Sequence, residues 1–98
     1  MKRSLFTLVA LAALLSFVLA GCGYHAAKKE IDSAERAFAE LKAAGGATSA
    51  PYEYCSAESF LEVSRYTMAE NNFKKTREFA GRSKSASEAG LVEVKKKK

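Results

Sequence analysis

Few residues in this 98-residue chain have chemistry to offer: two cysteines, Cys22 and Cys55, one histidine, His25, and scattered carboxylates. A thiol acts as a nucleophile only as the thiolate, which needs a base or cation held beside it. His25 follows Cys22 by three residues, so a Cys-His or Ser-His-Asp pair would have to assemble on a flexible start, and the histidine reads as a solvated linker residue. Without a second histidine to complete a ligand set, no metal site is expected. Glu58 and Glu62 share a helix face, as do Glu70 and Lys74, but such spacings are ordinary on solvated faces. General acid-base work would also need a pocket that moves a carboxylate's pKa. Gly45-Gly46 lacks the spacing and the preceding strand of a phosphate loop. The chain therefore reads as a non-enzyme with no catalytic residue, metal or cofactor.

The segment that positions Cys22 is more informative than these side chains. Lys2 and Arg3 precede an apolar run from Leu5 to Ala20 that closes on small residues, the three parts of a secretory signal. A membrane-spanning helix needs roughly 20 apolar residues to cross a core of about 30 Å. This run has 16, with Ser4, Thr7 and Ser16 in or beside it. A cleaved signal is the expected reading, and a permanent N-terminal anchor helix is its competitor.

Leu19-Ala20-Gly21-Cys22 at the end of the run resembles the bacterial lipobox, in which Leu, a small residue and Gly or Ala precede Cys. The resemblance implies cleavage between Gly21 and Cys22, diacylglycerol on the Cys22 sulfur, and acylation, by palmitate for example, of the new amino group. Two or three chains hold a protein on a bilayer, because each buried methylene contributes about 0.8 kcal/mol and one chain binds only marginally. Gly23 stands where an Asp is the usual inner-membrane retention signal. The resemblance thus implies an anchor in the outer membrane, facing the periplasm.

Removing residues 1–21 from 98 leaves 77, enough for one small domain of modest stability. Loss of Lys2 and Arg3 lowers the net charge from +5 to +3, and Lys95 to Lys98 supply four positives alone, so the helical body is near −1. That balance argues against a nucleic-acid groove. With Cys22 acylated, Cys55 has no partner in its own chain. It is either a small half-buried residue near a helix start or a reactive or intermolecularly paired thiol.

Ala27, Ile31, Ala34, Phe38 and Leu41 recur at spacings of four and three, one stripe of a helix over about residues 24–44. Gly45-Gly46 ends it and residues 45–50 form a loop. Pro51 suits the first turn of a second helix over 51–70, with Thr48 or Ser49 as cap. Its inward positions are Ala57, Phe60, Leu61, Ser64, Thr67 and Met68, with Tyr54 near its start. Asn71-Asn72 makes the turn. A third helix over 73–89 turns Phe73, Thr76, Phe79, Ala80, Ser83, Ala86 and Ser87 inward, and Gly90 ends it. The expected fold is all-α, a signal helix followed by a small three-helix antiparallel bundle, divided as 1–21 signal, 22–90 helical domain and 91–98 frayed basic tail. Because the third helix carries mostly Ala and Ser inside, it buries little area, which implies either a surface for a partner or for self-association, or a third helix that packs from Ile31, Phe38 and Leu41.

Two further resemblances bear on the fold. Ala57, Leu61, Asn72, Phe73 and Ala80 are spaced roughly as in a tetratricopeptide unit, although a solenoid needs about three stacked repeats. More of the chain is similar to small bacterial lipoproteins with a helical domain of unknown function, found alone or ahead of outer-membrane-protein-A-like domains. That likeness rests on Ala43 and Ala44, the run Ala50-Pro51-Tyr52-Glu53-Tyr54, Ala57, Leu61, Phe73, and Ala80, Ala86 and Ala89. Ser64 and Thr76 depart from it, standing where such helices carry Ala.

Tyr52 and Tyr54 are weighed as a saccharide or partner platform against a packing role, in which one ring covers the hairpin and the other stays wet. Lys95 to Lys98 form a solvated tail or a contact for anionic headgroups or acidic cell-wall groups. The terminal Lys98 also bears a loose analogy to the major outer-membrane lipoprotein, whose last lysine is joined to peptidoglycan. The function expected is a non-catalytic envelope lipoprotein, tethered to the lipid bilayer through Cys22, whose bundle presents Tyr52, Tyr54, Phe60 or Phe79 to another envelope protein or to peptidoglycan. The alternatives are an adaptor or chaperone-like subunit of an envelope enzyme or export complex, and a cell-wall tether through the lysine tail.

Overall fold

A computed structural model describes residues 2–97, except for the side chains of residues 16–22. The chain is all-helical: α1 (Lys2–Ala43), α2 (Gly46–Ser49), α3 (Pro51–Ala69) and α4 (Phe73–Lys96). The backbone of α1 continues through the expected signal boundary, so that boundary is not a break in secondary structure. The segment contains no proline, and a glycine inside a helix costs only about 1 kcal/mol, which neighbouring turns can offset.

Each turn has a local cause. Gly45 sits in the left-handed region at φ 81°, where a side chain would be strained. The expected loop after it is instead occupied by the single-turn helix α2, closed by Ala50 N–H donating to the Gly46 carbonyl at 2.8 Å. Ala50, not Thr48 or Ser49, stands at the N-cap of α3, and no side chain caps that end. Burial of Ala50, with Pro51 in the first turn removing one unsatisfied N–H, takes the place of a polar cap. Asn71 adopts φ 62° at the α3–α4 turn, and the Asn72 side chain accepts from the Lys75 N–H to cap α4.

The largest departure from expectation is at the C-terminal end. α4 does not stop at Gly90 but runs to Lys96, and residues 91–96 are helix rather than a frayed tail. Gly90 is buried, and Val94 beyond it packs with Leu41 and Ala50, so tertiary contact carries the helix past the glycine.

α3 runs antiparallel to α1 and to α4, while α1 and α4 run the same way. Pairings along the rod fix this register: Phe38 meets Tyr54, Glu35 meets Arg65, Phe60 meets Phe79, and Tyr24 meets Phe73. The buried positions on α4 are Thr76, Ala80, Ser83, Ser87, Gly90 and Val94, a heptad-like stripe of mostly small residues. Against it lie Ala27, Ile31, Ala34, Ala37 and Leu41 from α1 and Ala57, Leu61, Ser64 and Thr67 from α3. Phe38, Phe60, Met68, Phe73, Phe79 and Ala86, assigned inward by periodicity, are half-buried at the edges of these stripes. Ile31, Ala34, Leu61 and Ala80 form one apolar cluster, and Leu41, Ala50 and Val94 form another.

Hydroxyls are seated within these layers. Ser64 donates to the Leu61 carbonyl at 2.7 Å, and the Thr67 and Thr76 hydroxyls lie 2.8 Å apart across the hairpin. Ser83 donates across helices to the Ala57 carbonyl at 2.7 Å. The described molecule extends 73 × 18 × 14 Å.

Candidate functional site

Gly21 and Cys22, the expected cleavage and acylation positions, have side chains outside the described residues. Their surroundings are informative nevertheless. Leu5, Phe6, Leu8, Val9, Leu11, Leu14 and Leu15 are between 53% and 79% exposed, whereas Ala27, five residues beyond Cys22, is fully buried. The first half of α1 thus offers an apolar surface that no other element covers, and the second half is a wall of the bundle. A groove between Lys2, Leu5, Phe6 and Val9 lies on this one helix, with no second element to close it. Among the described residues, no helix is long and apolar enough to cross a membrane.

The aromatic residues singled out by sequence fall into two separate places. Tyr52 is 79% exposed in the first turn of α3, while Tyr54, half-buried, packs its ring 5.0 Å from Phe38 and covers the Leu41 cluster. Phe60 and Phe79 stack across α3 and α4 with centroids 6.2 Å apart. Arg82 lies over both rings, at 5.9 and 5.8 Å, and is held by Glu78 at 3.0 Å. Sequence reasoning did not select Arg82, although its i,i+3 spacing from Phe79 and i,i+4 spacing from Glu78 were available signals. A guanidinium over two rings gives an amphipathic patch with the geometry of a cation–π contact.

Where α1 enters the bundle, it meets the α3–α4 turn. The rings of Tyr24 and Phe73 are edge-to-face at 5.9 Å, and a Cβ on Gly23 would lie 3.3 Å from Phe73. Beside them Tyr24, His25, Lys28, Lys29 and Asp32 line an open cleft of about 450 Å³. Lys74 and Lys75 are exposed in the first turn of α4, next to Phe73. Nothing in the linear sequence signals this meeting of residues 23–29 with 70–75, because it follows from the register of the bundle. Nearby, the Glu70 carboxylate accepts from the Tyr66 hydroxyl, and this bond with the negative charge holds the phenol above its ordinary value of 10.0.

At the opposite end Lys95, Lys96 and Lys97 are exposed; Lys97 Nζ donates to the Ser49 carbonyl, and Lys96 faces Glu93 at 3.6 Å. Lys98 lies outside the described residues. Cys55 is exposed rather than half-buried, since it lies two residues before Ala57, about 200° around the helix, and faces away from the buried Ala57–Leu61 stripe. No three His, Cys, Asp or Glu side chains among the described residues gather into a metal-sized cluster. No protein-family model, curated protein or solved structure matches the chain.

Proposed function

We propose that this chain is a lipid-anchored, non-catalytic envelope module: a signal segment over 1–21, cut before Cys22, and a three-helix antiparallel bundle held at the outer membrane and facing the periplasm. The observation that carries the reading is the contrast along α1. Large apolar side chains from Leu5 to Leu15 stand uncovered, and burial begins only at Ala27. A segment with that much bare apolar surface belongs to the export machinery or a bilayer, not to the domain that follows. The lipobox-like Leu19-Ala20-Gly21-Cys22 falls between the two regimes.

On this reading the bundle is a scaffold for contact with an envelope protein or peptidoglycan. Mass analysis of the N-terminal peptide from protein made in a bacterial envelope tests it. A chain beginning at an acylated Cys22 is expected; an intact Met1 start or a bare Cys22 thiol overturns it.

The adaptor reading, in which the α3–α4 hairpin serves an envelope enzyme or export complex, draws on the Phe60–Phe79–Arg82 patch. Capture of an envelope component that depends on Phe60 or Phe79 favours it, and recovery of background alone counts against it.

A further inference from the structure

The bundle sorts its charge along its length. At the end where α1 enters, residues 23–29 and 70–75 carry Lys28, Lys29, Lys74 and Lys75 against Glu70, with Glu30 directly after Lys29. Asp32 stands one turn further along α1, at the rim of the same cleft. From there to Val94, residues 30–69 and 76–94 carry ten carboxylates against six basic side chains. A second basic group, Lys95 to Lys97, closes the far end, about 36 Å away for a 24-residue helix at 1.5 Å per residue.

We propose that the end formed by Tyr24, Lys28, Lys29, Phe73, Lys74 and Lys75 is a docking collar for the anionic phospholipid headgroups of the bilayer that holds Cys22. This surface rests on the reading of Cys22 as the acylated residue. Lys28 and Lys29 follow Cys22 by six and seven residues, about 9–10 Å along the helix, within reach of the headgroup layer for a lysine side chain. Lys74 and Lys75 arrive at the same level because Phe73 rests on Tyr24. Tyr24 is half-exposed there, and a ring with a polar tip suits the membrane interface. The acidic middle is repelled by the same surface, so the charge pattern stands the rod upright and carries Lys95 to Lys97 away from the membrane. The C-terminal lysines are therefore assigned to the periplasmic end and not to the anchoring leaflet.

The test uses the processed, acylated protein in vesicles of phosphatidylcholine, alone or mixed with phosphatidylglycerol, treated with a membrane-impermeant amine reagent and read lysine by lysine by mass spectrometry. In the anionic vesicles Lys28, Lys29, Lys74 and Lys75 are expected to label about five-fold more slowly than the same residues do in phosphatidylcholine alone, an effect lost at high salt. Lys95 to Lys97 keep their rate. Equal labelling of all lysines, equal protection in neutral vesicles, or protection of Lys95 to Lys97 matching that of the collar overturns the proposal. A chain recovered without acyl groups overturns the functional reading beneath it, and the mass spectrum separates that failure from the others.

Discussion

Leu41 of α1 and Gly90 of α4 are in such close contact that a Cβ built on Gly90 would lie 2.8 Å from Leu41 Cδ1 and 2.9 Å from Cδ2. Gly46 approaches the same leucine from α2, its own added Cβ falling 2.5 Å from Leu41 Cγ. One side chain is thus clasped by two glycines, and the helices meet there because neither glycine has a side chain.

Alanine at two glycines of one helix should therefore act in opposite senses. Gly90→Ala gains helix propensity of about 1 kcal/mol but overpacks Leu41 at a cost of about 1–3 kcal/mol, so the melting temperature falls. Gly81→Ala, with nothing within 4 Å of its added Cβ, gains the propensity alone. It should raise the melting temperature by about 4–8 °C, followed by far-ultraviolet circular dichroism.

Two fully buried serines on α4 make a second contrasting pair. Ser83 donates across the hairpin to Ala57, whereas the Ser87 hydroxyl has no partner among the described residues. Ser83→Ala should lose about 1 kcal/mol of stability, because the hydrogen bond goes and the Ala57 carbonyl keeps only its helical one. Ser87→Ala should gain about 1 kcal/mol or more by removing an unsatisfied buried group. Urea denaturation with an unchanged m-value reads both.

The tyrosines that open α3 should separate by role. Tyr54→Ala removes a ring packed on Phe38 and should cost about 3 kcal/mol. Tyr52→Ala, at a site 79% exposed, should leave the unfolding midpoint nearly unchanged, so any loss of partner capture in that variant is a loss of contact and not of fold.

Tyr66 supplies a pH signature. Its phenol is raised above 10.0 by the bond to and charge of Glu70, so the folded state favours the protonated form. The associated stabilisation is present below pH 10 and is lost as pH rises through the folded-state value. Spectrophotometric titration should show a tyrosine that ionises late, and Glu70→Gln should move it down towards the ordinary value. An unchanged titration in that variant would separate Tyr66 from Glu70.

Much of the helical plan was legible because it is periodic. Ala27, Ile31, Ala34 and Leu41 declare a stripe, and Asn71-Asn72 declares a turn, through spacing and backbone preference alone. Gly90 misled for a reason of the same kind: a glycine reads locally as a terminator, while here the close approach of Leu41 gives it an interior place. Cys55 misled because a half-buried position and an exposed one differ by a single step of about 100° around the helix. Arg82 over Phe60 and Phe79, and the collar formed where Phe73 meets Tyr24, depend on which residues face across helices. Register of that sort is a property of three packed helices, and no single segment contains it.

The interior of α4 is built from methyls, hydroxyls and a bare Cα, with Val94 its bulkiest member. Backbones drawn that near to one another lie side by side, and at Gly90 the Leu41 side chain fills the space between them. The result is a thin strut, 18 × 14 Å across. Enlarging Ser83 or Gly90 would splay the strut, so the smallness of these side chains is what keeps its two ends in line.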